Sequence, residues 1–325
     1  MQQRYRLLSL LADGRFHSGE QLGALLGVGR GAVWKLVQSM EPLGLDIFAV
    51  RGRGYRLAEP LELLSSETIR AGLDADAAAL LHNLEVLPEI DSTNRYLMDR
   101  VRHGTASGHA CFAEYQSTGR GRQGRRWISP FGTNLYLSVF RCFDVDAGAL
   151  QGLSLAVGVA VVRALSSLGV ADIKLKWPND LLWQERKLAG VLLELAGEPA
   201  GPWRVVVGIG INLSVPEAAG RLIDQPWVDL KTVAGGPLGR NQVASSVLAH
   251  LLKGLDEFDR EGFVAFRQEW EQYDLVRDRF VTLTAIGSVT QGRACGVDHS
   301  GALLLFVEGQ VRRFLSGDVS LRIGA

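Results

Sequence analysis

Residues 117–127 read Ser-Thr-Gly-Arg-Gly-Arg-Gln-Gly-Arg-Arg-Trp. Glycine lets a backbone double back and approach a ligand closely. Arginines crowded on such a loop repel one another unless an anion lies between them. The run therefore suits a loop that folds around a negatively charged ligand, with backbone N–H groups and guanidinium forks turned inward. The competing readings are a solvated basic turn and a nucleic-acid contact patch. No Gly-Lys-Ser/Thr follows, so the loop is not a phosphate-binding P-loop.

Four further groups could do chemistry. Ser92-Thr93-Asn94 puts two hydroxyls and an amide at a helix start, where they can hold a carbonyl or ureido group or simply serve as an N-cap. Lys174-Leu175-Lys176-Trp177-Pro178-Asn179-Asp180 ends a strand in a turn, either a polar group facing a cleft or a plain β-turn. Lys187 stands at the entry of an otherwise apolar strand, as a functional cation or a solvated edge residue. In Gly208-Ile209-Gly210-Ile211-Asn212 the two glycines fall on one face of a strand and open a flat slot where a ligand can lie against the backbone. The spacing is not GxGxxG, which excludes a Rossmann turn.

The elements that must position these groups follow from periodicity. Residues 5–57 predict a separate unit: an apolar helix ended by Asp13-Gly14, and a second helix with a Ser18/Gln21 capping box. Next come a Gly27-Val28-Gly29 turn, a third helix over 30–40 and two short strands around a basic turn. That order is a winged helix-turn-helix. Gly29, rather than Ser or Thr, opens the third helix. Arg4, Arg6, Arg15, Arg30, Lys35, Arg51, Arg53 and Arg56 face only Asp13, Glu20, Glu41 and Asp46 within this unit. Its local charge suits DNA although the 325-residue chain is formally neutral, with 35 basic and 35 acidic residues. A linker with one short helix is expected over 58–77, and the central domain near residue 84. Strands are expected over 84–87, 109–116, 133–140, 173–177, 188–195 and 203–212. Helices are expected from 92 to about 101 and over 150–168, 241–258 and 263–270. The tail from 279 predicts five short strands. Three scattered cysteines show no metal-ligand spacing and suit a reducing cytoplasm. No signal peptide is legible, and the most apolar run, 153–162, is too short to span a bilayer.

The motifs Gly119-Arg120-Gly121-Arg122-Gln123-Gly124-Arg125-Arg126-Trp127, Lys176-Trp177-Pro178-Asn179-Asp180, Arg186-Lys187-Leu188-Ala189-Gly190 and Gly208-Ile209-Gly210-Ile211-Asn212 resemble, in order and rough spacing, the biotin–protein ligases. With the winged helix in front, the chain resembles the bifunctional bacterial type, biotin ligase and biotin-operon repressor, over nearly its whole length. The resemblance implies an α+β fold in three parts. These are a winged helix-turn-helix (1–60), a class II synthetase-like ligase domain on a mixed or antiparallel sheet (61–275), and a small SH3-like β-barrel (276–325). It implies that biotin and Mg-ATP react to biotinyl-5′-adenylate, and that biotin then passes to a lysine of the biotin carboxyl carrier protein of acetyl-CoA carboxylase.

By position, the resemblance assigns Ser92, Thr93, Asn94 and Gln116 to the ureido ring, and Gly119 and Arg120 to the biotin carboxyl end. Arg122, Gln123, Gly124, Arg125 and Trp127 fall to the loop that closes over biotin and its adenylate. Lys187 is placed beside the carboxylate and α-phosphate, where it and Arg120 would offset charge. Asn179, Asp180, Gly208, Asn212, Trp227, Arg240, Asn241 and Arg322 are expected on the nucleotide side. Asp180 is the candidate to take the acceptor's proton or to hold Mg²⁺. Arg30, Trp34, Lys35, Arg51 and Arg53 are expected to contact operator DNA. A ligand-dependent homodimer and no membrane association complete the expectation. A lipoate or octanoate ligase, which shares the catalytic fold, and a ligand-sensing transcription factor with an inactive core are the alternatives.

Overall fold

The computed structural model describes residues 2–196, 202–285, 287–317 and 319–323. Helices α1 (Gln2–Leu11), α2 (Gly19–Leu26) and α3 (Arg30–Gln38) precede a hairpin of β1 (Ile47–Val50) and β2 (Gly54–Leu57). The Ser18 side chain accepts from the Gln21 N–H and the Gln21 side chain accepts from the Ser18 N–H, closing the expected capping box. Gly29 begins α3 without a side-chain cap. Gly54 holds φ at +101°, and a Cβ there would collide with the His17 carbonyl, because His17 bridges Tyr55 as a third short strand of the wing.

The segment expected to be a linker is part of the core. It carries two helices, α4 (Ser66–Ala71) and α5 (Ala75–Leu80), the second capped by Asp74. Leu64, Ile69, Ala77 and Leu81 are buried. Its anchor is Glu62, whose carboxylate accepts the backbone N–H groups of Arg240 (2.6 Å) and Asn241 (3.2 Å). Those two N–H groups open the long helix that begins at Arg240, and a carboxylate suits a helix N-terminus. Nor is the winged helix independent. Phe131, from the central domain, is 2% exposed and packs among Leu7, Leu11, Leu43 and Leu57. Tyr5 meets it edge-on with ring centroids 6.5 Å apart, and the Phe131 N–H donates to the Leu43 carbonyl at 3.0 Å.

The central domain continues with β3 (Asn83–Leu87), α6 (Thr93–Arg102), β4 (His109–Ala113), β5 (Leu135–Phe143), α7 (Leu153–Ser167), β6 (Lys174–Lys176), β7 (Asp180–Trp183), β8 (Arg186–Ala196) and β9 (Trp203–Ile211). Short helices α8 (Glu217–Gly220) and α9 (Leu230–Val233) lead to α10 (Arg240–Glu261) and α11 (Val264–Tyr273). Strand order is β3-β4-β5-β9-β8-β7-β6; only β3 and β4 run parallel, so the sheet is mixed. Alternation along the strands divides two faces. Phe112, Leu137, Val207 and Ile209 join the core with α7 and α10, while Cys111, Phe140 and Val206 pack under α6. Residues 148–167 are apolar enough to cross a bilayer by length and composition, but two thirds of the stretch is buried inside the fold. Strand β7 was not expected; the Pro178–Asn179 turn connects it to β6 as a hairpin.

The tail forms a five-stranded antiparallel sheet of β10 (Phe280–Ala285), β11 (Ser288–Val297), β12 (Leu303–Val307), β13 (Gln310–Phe314) and β14 (Val319–Ile323), ordered β13-β12-β11-β10-β14. It is tied to the central domain where the Trp177 indole N–H donates to the Gly301 carbonyl at 3.1 Å.

Asp274, at the junction between α11 and β10, is pushed up from 3.8 to about 6, chiefly by burial, against the Val276 N–H bond and nearby Arg277. Its Oδ2 is buried without a partner. A raised carboxyl pKa means the folded state binds the proton more tightly. The destabilisation is therefore absent below pH 3.8 and complete above pH 6. Asp274→Asn is expected to stabilise the protein by on the order of 1–3 kcal/mol at pH 8 and to have little effect at about pH 3, below both pKa values. Thermal unfolding at the two pH values checks this.

Candidate active site

On the α6 face of the central sheet lies a cavity of about 750 Å³. Its floor is nearly bare backbone. Gly190 pairs with Gly210, and Leu192 with Gly208, across β8 and β9. Asn94 and Trp127 rest against these glycines, which also line the cavity. A Cβ on Gly208 would collide with the Asn94 amide. A Cβ on Gly210 would come within 2.5 Å of the Trp127 indole, and one on Gly190 within 3.3 Å.

One end of the cavity is a buried polar network. Ser92 sits at the N-cap position of α6 but makes no capping bond through its side chain. Instead the Thr93 N–H and hydroxyl lie 2.9 and 3.1 Å from Gln116 Oε1, and Gln116 Nε2 donates to Ser129 Oγ at 3.2 Å. Ser138, fully buried on β5, has its hydroxyl 2.6 Å from Asn94 Oδ1 and 2.8 Å from Thr93 Oγ1. Sequence reasoning missed Ser138; its signal was a lone serine within the apolar run 135–140.

The middle is cationic. Lys187 Nζ lies 2.7 Å from Asp180 Oδ1 and 5.6 Å above the Trp127 ring. Lys176 Nζ approaches the other Asp180 oxygen at 3.5 Å, so one carboxylate serves two ammonium groups. Lys176, quoted in its motif without a role, belongs to the site lining. Asn179 uses its amide N–H on the Val191 carbonyl (2.8 Å) and its Oδ1 to accept from Arg122 (3.3 Å).

The Arg/Gly loop closes on itself. Arg120 bridges Arg126, the Gly121 N–H donates to the Arg125 carbonyl at 2.7 Å, and the Trp127 N–H to the Gly119 carbonyl at 2.9 Å. Gln123 (φ 55°) and Gly124 (φ 70°) turn its tip through the left-handed region. Its arginines do not all face inward. Arg122 reaches across the cavity to the carbonyls of Ser316 (2.8 Å) and Gly317 (2.5 Å), in the connection between β13 and β14 of the C-terminal sheet. Arg120 pairs with Glu194 at 2.8 Å. Lys187 and Glu194 are seven residues apart on β8, or about 23 Å of strand. The structure thus separates the Arg120 guanidinium from the Lys187 ammonium, correcting their expected joint action.

Arg125 and Arg322 line the cavity, as do Gln123, Leu222 and Asp224. Six expected residues stand outside the lining, Gly124 at the tip of the loop among them. Gly119 packs against Trp127 and Ser129 behind the lining. Asn212 donates to the Val228 (3.2 Å) and Lys187 (3.4 Å) carbonyls and so holds strand β8 to the 225–229 segment. The Trp227 indole packs on Gly220 and donates to its carbonyl at 3.2 Å. Arg240 is buried against Glu114 (2.8 Å) and the Asn134 carbonyl (2.9 Å), while Asn241 holds Glu62 at 2.7 Å. The last two are corrected from nucleotide contacts to structural ties, because the Arg240 guanidinium ends and the Asn241 amide are engaged by Glu62, Glu114 and Asn134, outside the cavity lining. In the winged helix Arg30, Trp34 and Lys35 on α3 and Arg51 and Arg53 on the wing are all exposed, and Arg53 stacks on Phe16 at 4.2 Å.

The model of the Biotin/lipoate A/B protein ligase family matches residues 86–212, and that of an HTH domain residues 3–56. The chain is 43% identical to the Bifunctional ligase/repressor BirA of Escherichia coli (strain K12), over 98% of this chain and 96% of that protein. It is 29% identical to the protein of the same description from Bacillus subtilis, over 95% of each. Among solved structures, the biotin protein ligase from Aquifex aeolicus in complex with biotin and ATP matches at 31% identity and a TM-score of 0.64. That match covers 75% of this chain and all of the other.

The glycine floor predicts an order of tolerance. Gly208→Ala and Gly210→Ala should each cost about 1–3 kcal/mol, the range for overpacking, and Gly190→Ala less. Urea unfolding of the three variants checks the order; equal stabilities would contradict the seating of Asn94 and Trp127.

Proposed function

This chain belongs to the biotin–protein ligases of the bifunctional ligase/repressor type, and on that premise we propose how its residues divide the work. The protein joins the biotin carboxylate to the α-phosphate of ATP, releasing pyrophosphate and forming biotinyl-5′-adenylate, and transfers biotin to a lysine of a carboxyl carrier protein with release of AMP; its winged helix makes it a repressor. We assign Ser92, Thr93, Asn94 and Gln116 to the ureido ring, since a network of hydroxyls and amides offers both donors and acceptors to such a group. A lipoyl ring has no ureido N–H or carbonyl to bond to this network. Trp127 forms the wall along the chain of biotin. Arg122, Arg125 and Arg322 face the nucleotide phosphates.

The observation that carries the reading is Lys187. Its ammonium stands between the polar end and the arginine-lined end, where the biotin carboxylate must meet the α-phosphate. Two anions approach there, and a fixed cation offsets their charge most as the pentavalent centre forms. Lys187 is held in place by Asp180 (2.7 Å) and by the face of Trp127. A magnesium ion carried on the triphosphate needs only one or two protein carboxylates. Asp180 and Asp224 are the acidic residues lining the cavity among those described; both Asp180 oxygens are engaged by Lys187 and Lys176, so Asp180 would take such an ion only by giving up an ammonium. Such an ion would neutralise phosphate charge. The loop at 119–127 excludes water from the adenylate, a mixed anhydride prone to hydrolysis.

We propose that residues 1–60 read DNA through Arg30, Trp34, Lys35, Arg51 and Arg53, and that two copies act together on a two-fold operator. If the adenylate favours the dimer, the dimer binds adenylate more tightly by the same factor. Sedimentation should show mostly monomer without ligand and a shift to dimer with biotinyl-adenylate. Equal operator affinity with and without adenylate would contradict the switch.

The ligase assignment is tested by exchange of labelled pyrophosphate into ATP. Biotin should support exchange and lipoate should not. Lys187→Ala should slow adenylate formation by roughly 10²–10³, the usual loss for one preorganised donor, with the fold unchanged. Near-normal single-turnover rates would remove Lys187 from this role.

A further inference from the structure

Strand β8 is apolar over most of its length, yet it carries a glutamate, Glu194, on the cavity-side face with Gly190 and Leu192. Its side chain is only 21% exposed; one oxygen takes the Arg120 guanidinium at 2.8 Å, and the other is buried with no partner. The Leu192 carbonyl, two positions before it, accepts from Asn94 Nδ2 at 3.3 Å, so Glu194 stands just outside the cavity lining, next to its polar end. Arg120 therefore crosses that end, as Arg122 crosses the other to reach Ser316 and Gly317. Between the two arms the loop is rooted by Trp127 on Gly210.

We propose that Glu194 is a positioning residue for the lid. By holding Arg120 it fastens the first arm of the 119–127 loop over the polar end, and so retains the activated intermediate until the acceptor lysine arrives. The inference rests on the ligase reading above. Opening this arm leaves a largely buried carboxylate with neither oxygen bonded, a state disfavoured by its lost hydrogen bond. Closure is favoured only modestly, because the Arg120 side chain is half exposed and water and salt screen the pair. A modest bias is what a lid that must open once per turnover requires. Glu194 would act through Arg120 and touch no reacting atom, so formation of the adenylate and its retention should respond differently to its loss.

The test is Glu194→Gln, which keeps the volume and an acceptor oxygen but removes the charge, with Glu194→Asp as the charge-retaining control. Bound adenylate is formed from labelled ATP and biotin, and its release is followed after a chase with unlabelled biotin and ATP, at low and high salt. Glu194→Gln should form adenylate within about twofold of the wild-type rate and release it about two- to fivefold faster, the range one exposed ion pair supplies. Salt should speed release from the wild-type protein more than from the variant, and Glu194→Asp should fall between them. Normal formation with unchanged release and unchanged salt response overturns this inference alone. Tighter biotin binding with slower release in Glu194→Gln also overturns it, and makes Glu194 a competitor for Arg120 instead. A wild-type protein that makes no adenylate overturns the ligase reading and this inference with it.

Discussion

The site is built on a stretch of sheet that has no side chains. Gly208, Gly210 and Gly190 leave bare backbone on one face, and two large groups come to rest there: the Asn94 amide on Gly208 and the Trp127 indole on Gly210. The first fixes how α6 meets the sheet and so places Thr93 and Gln116. The second roots the Arg/Gly loop and gives Lys187 an aromatic face to lie over. A single Cβ at either central glycine forces a packed neighbour to move, and close-packed interiors yield little. Position of the polar end, the cation and the lid thus follow from one constraint, the absence of three side chains on two adjacent strands.

From that root the chain runs directly into the winged helix. Four residues beyond Trp127, Phe131 is a core residue of the N-terminal unit, and Ser129 between them accepts from Gln116. The cavity and the DNA-binding unit are therefore joined by a short, buried, hydrogen-bonded segment. The ties at Glu62 and Glu114 reinforce this, since both reach α10, through its first residues Arg240 and Asn241. A structure joined in this way can transmit what happens at the lid to the winged helix through packing.

Local pattern made much of this legible. The capping box at Ser18 and Gln21, the wing with its glycine, the buried helix α7 and the five strands of the tail all announce themselves within a few residues. So did the motifs at 119–127, 176–180 and 208–212, which the structure brings to one cavity. What stayed hidden depends on partners remote in sequence. Glu62 looked like linker because its partners are Arg240 and Asn241, 178 and 179 positions away. For the same reason Arg240 and Asn241 looked free to bind a ligand. Nothing in 208–212 reveals that Asn94 and Trp127 rest against its glycines. Arg120 read as a partner of Lys187 because loop composition carries no direction; only the fold shows it turned toward Glu194.

Amide hydrogen exchange over residues 119–131, measured without ligand and with biotin plus ATP, tests the seating of the lid most directly. The Trp127 N–H is bonded to Gly119 and the Phe131 N–H to Leu43. These amides should therefore exchange slowly in both states, as buried, bonded amides do. Those of 122–124, at the exposed tip, should exchange fast without ligand and become protected when it binds. If 127–131 exchanges as fast as the tip in the free protein, Trp127 does not root the lid and the glycine floor does not organise the site.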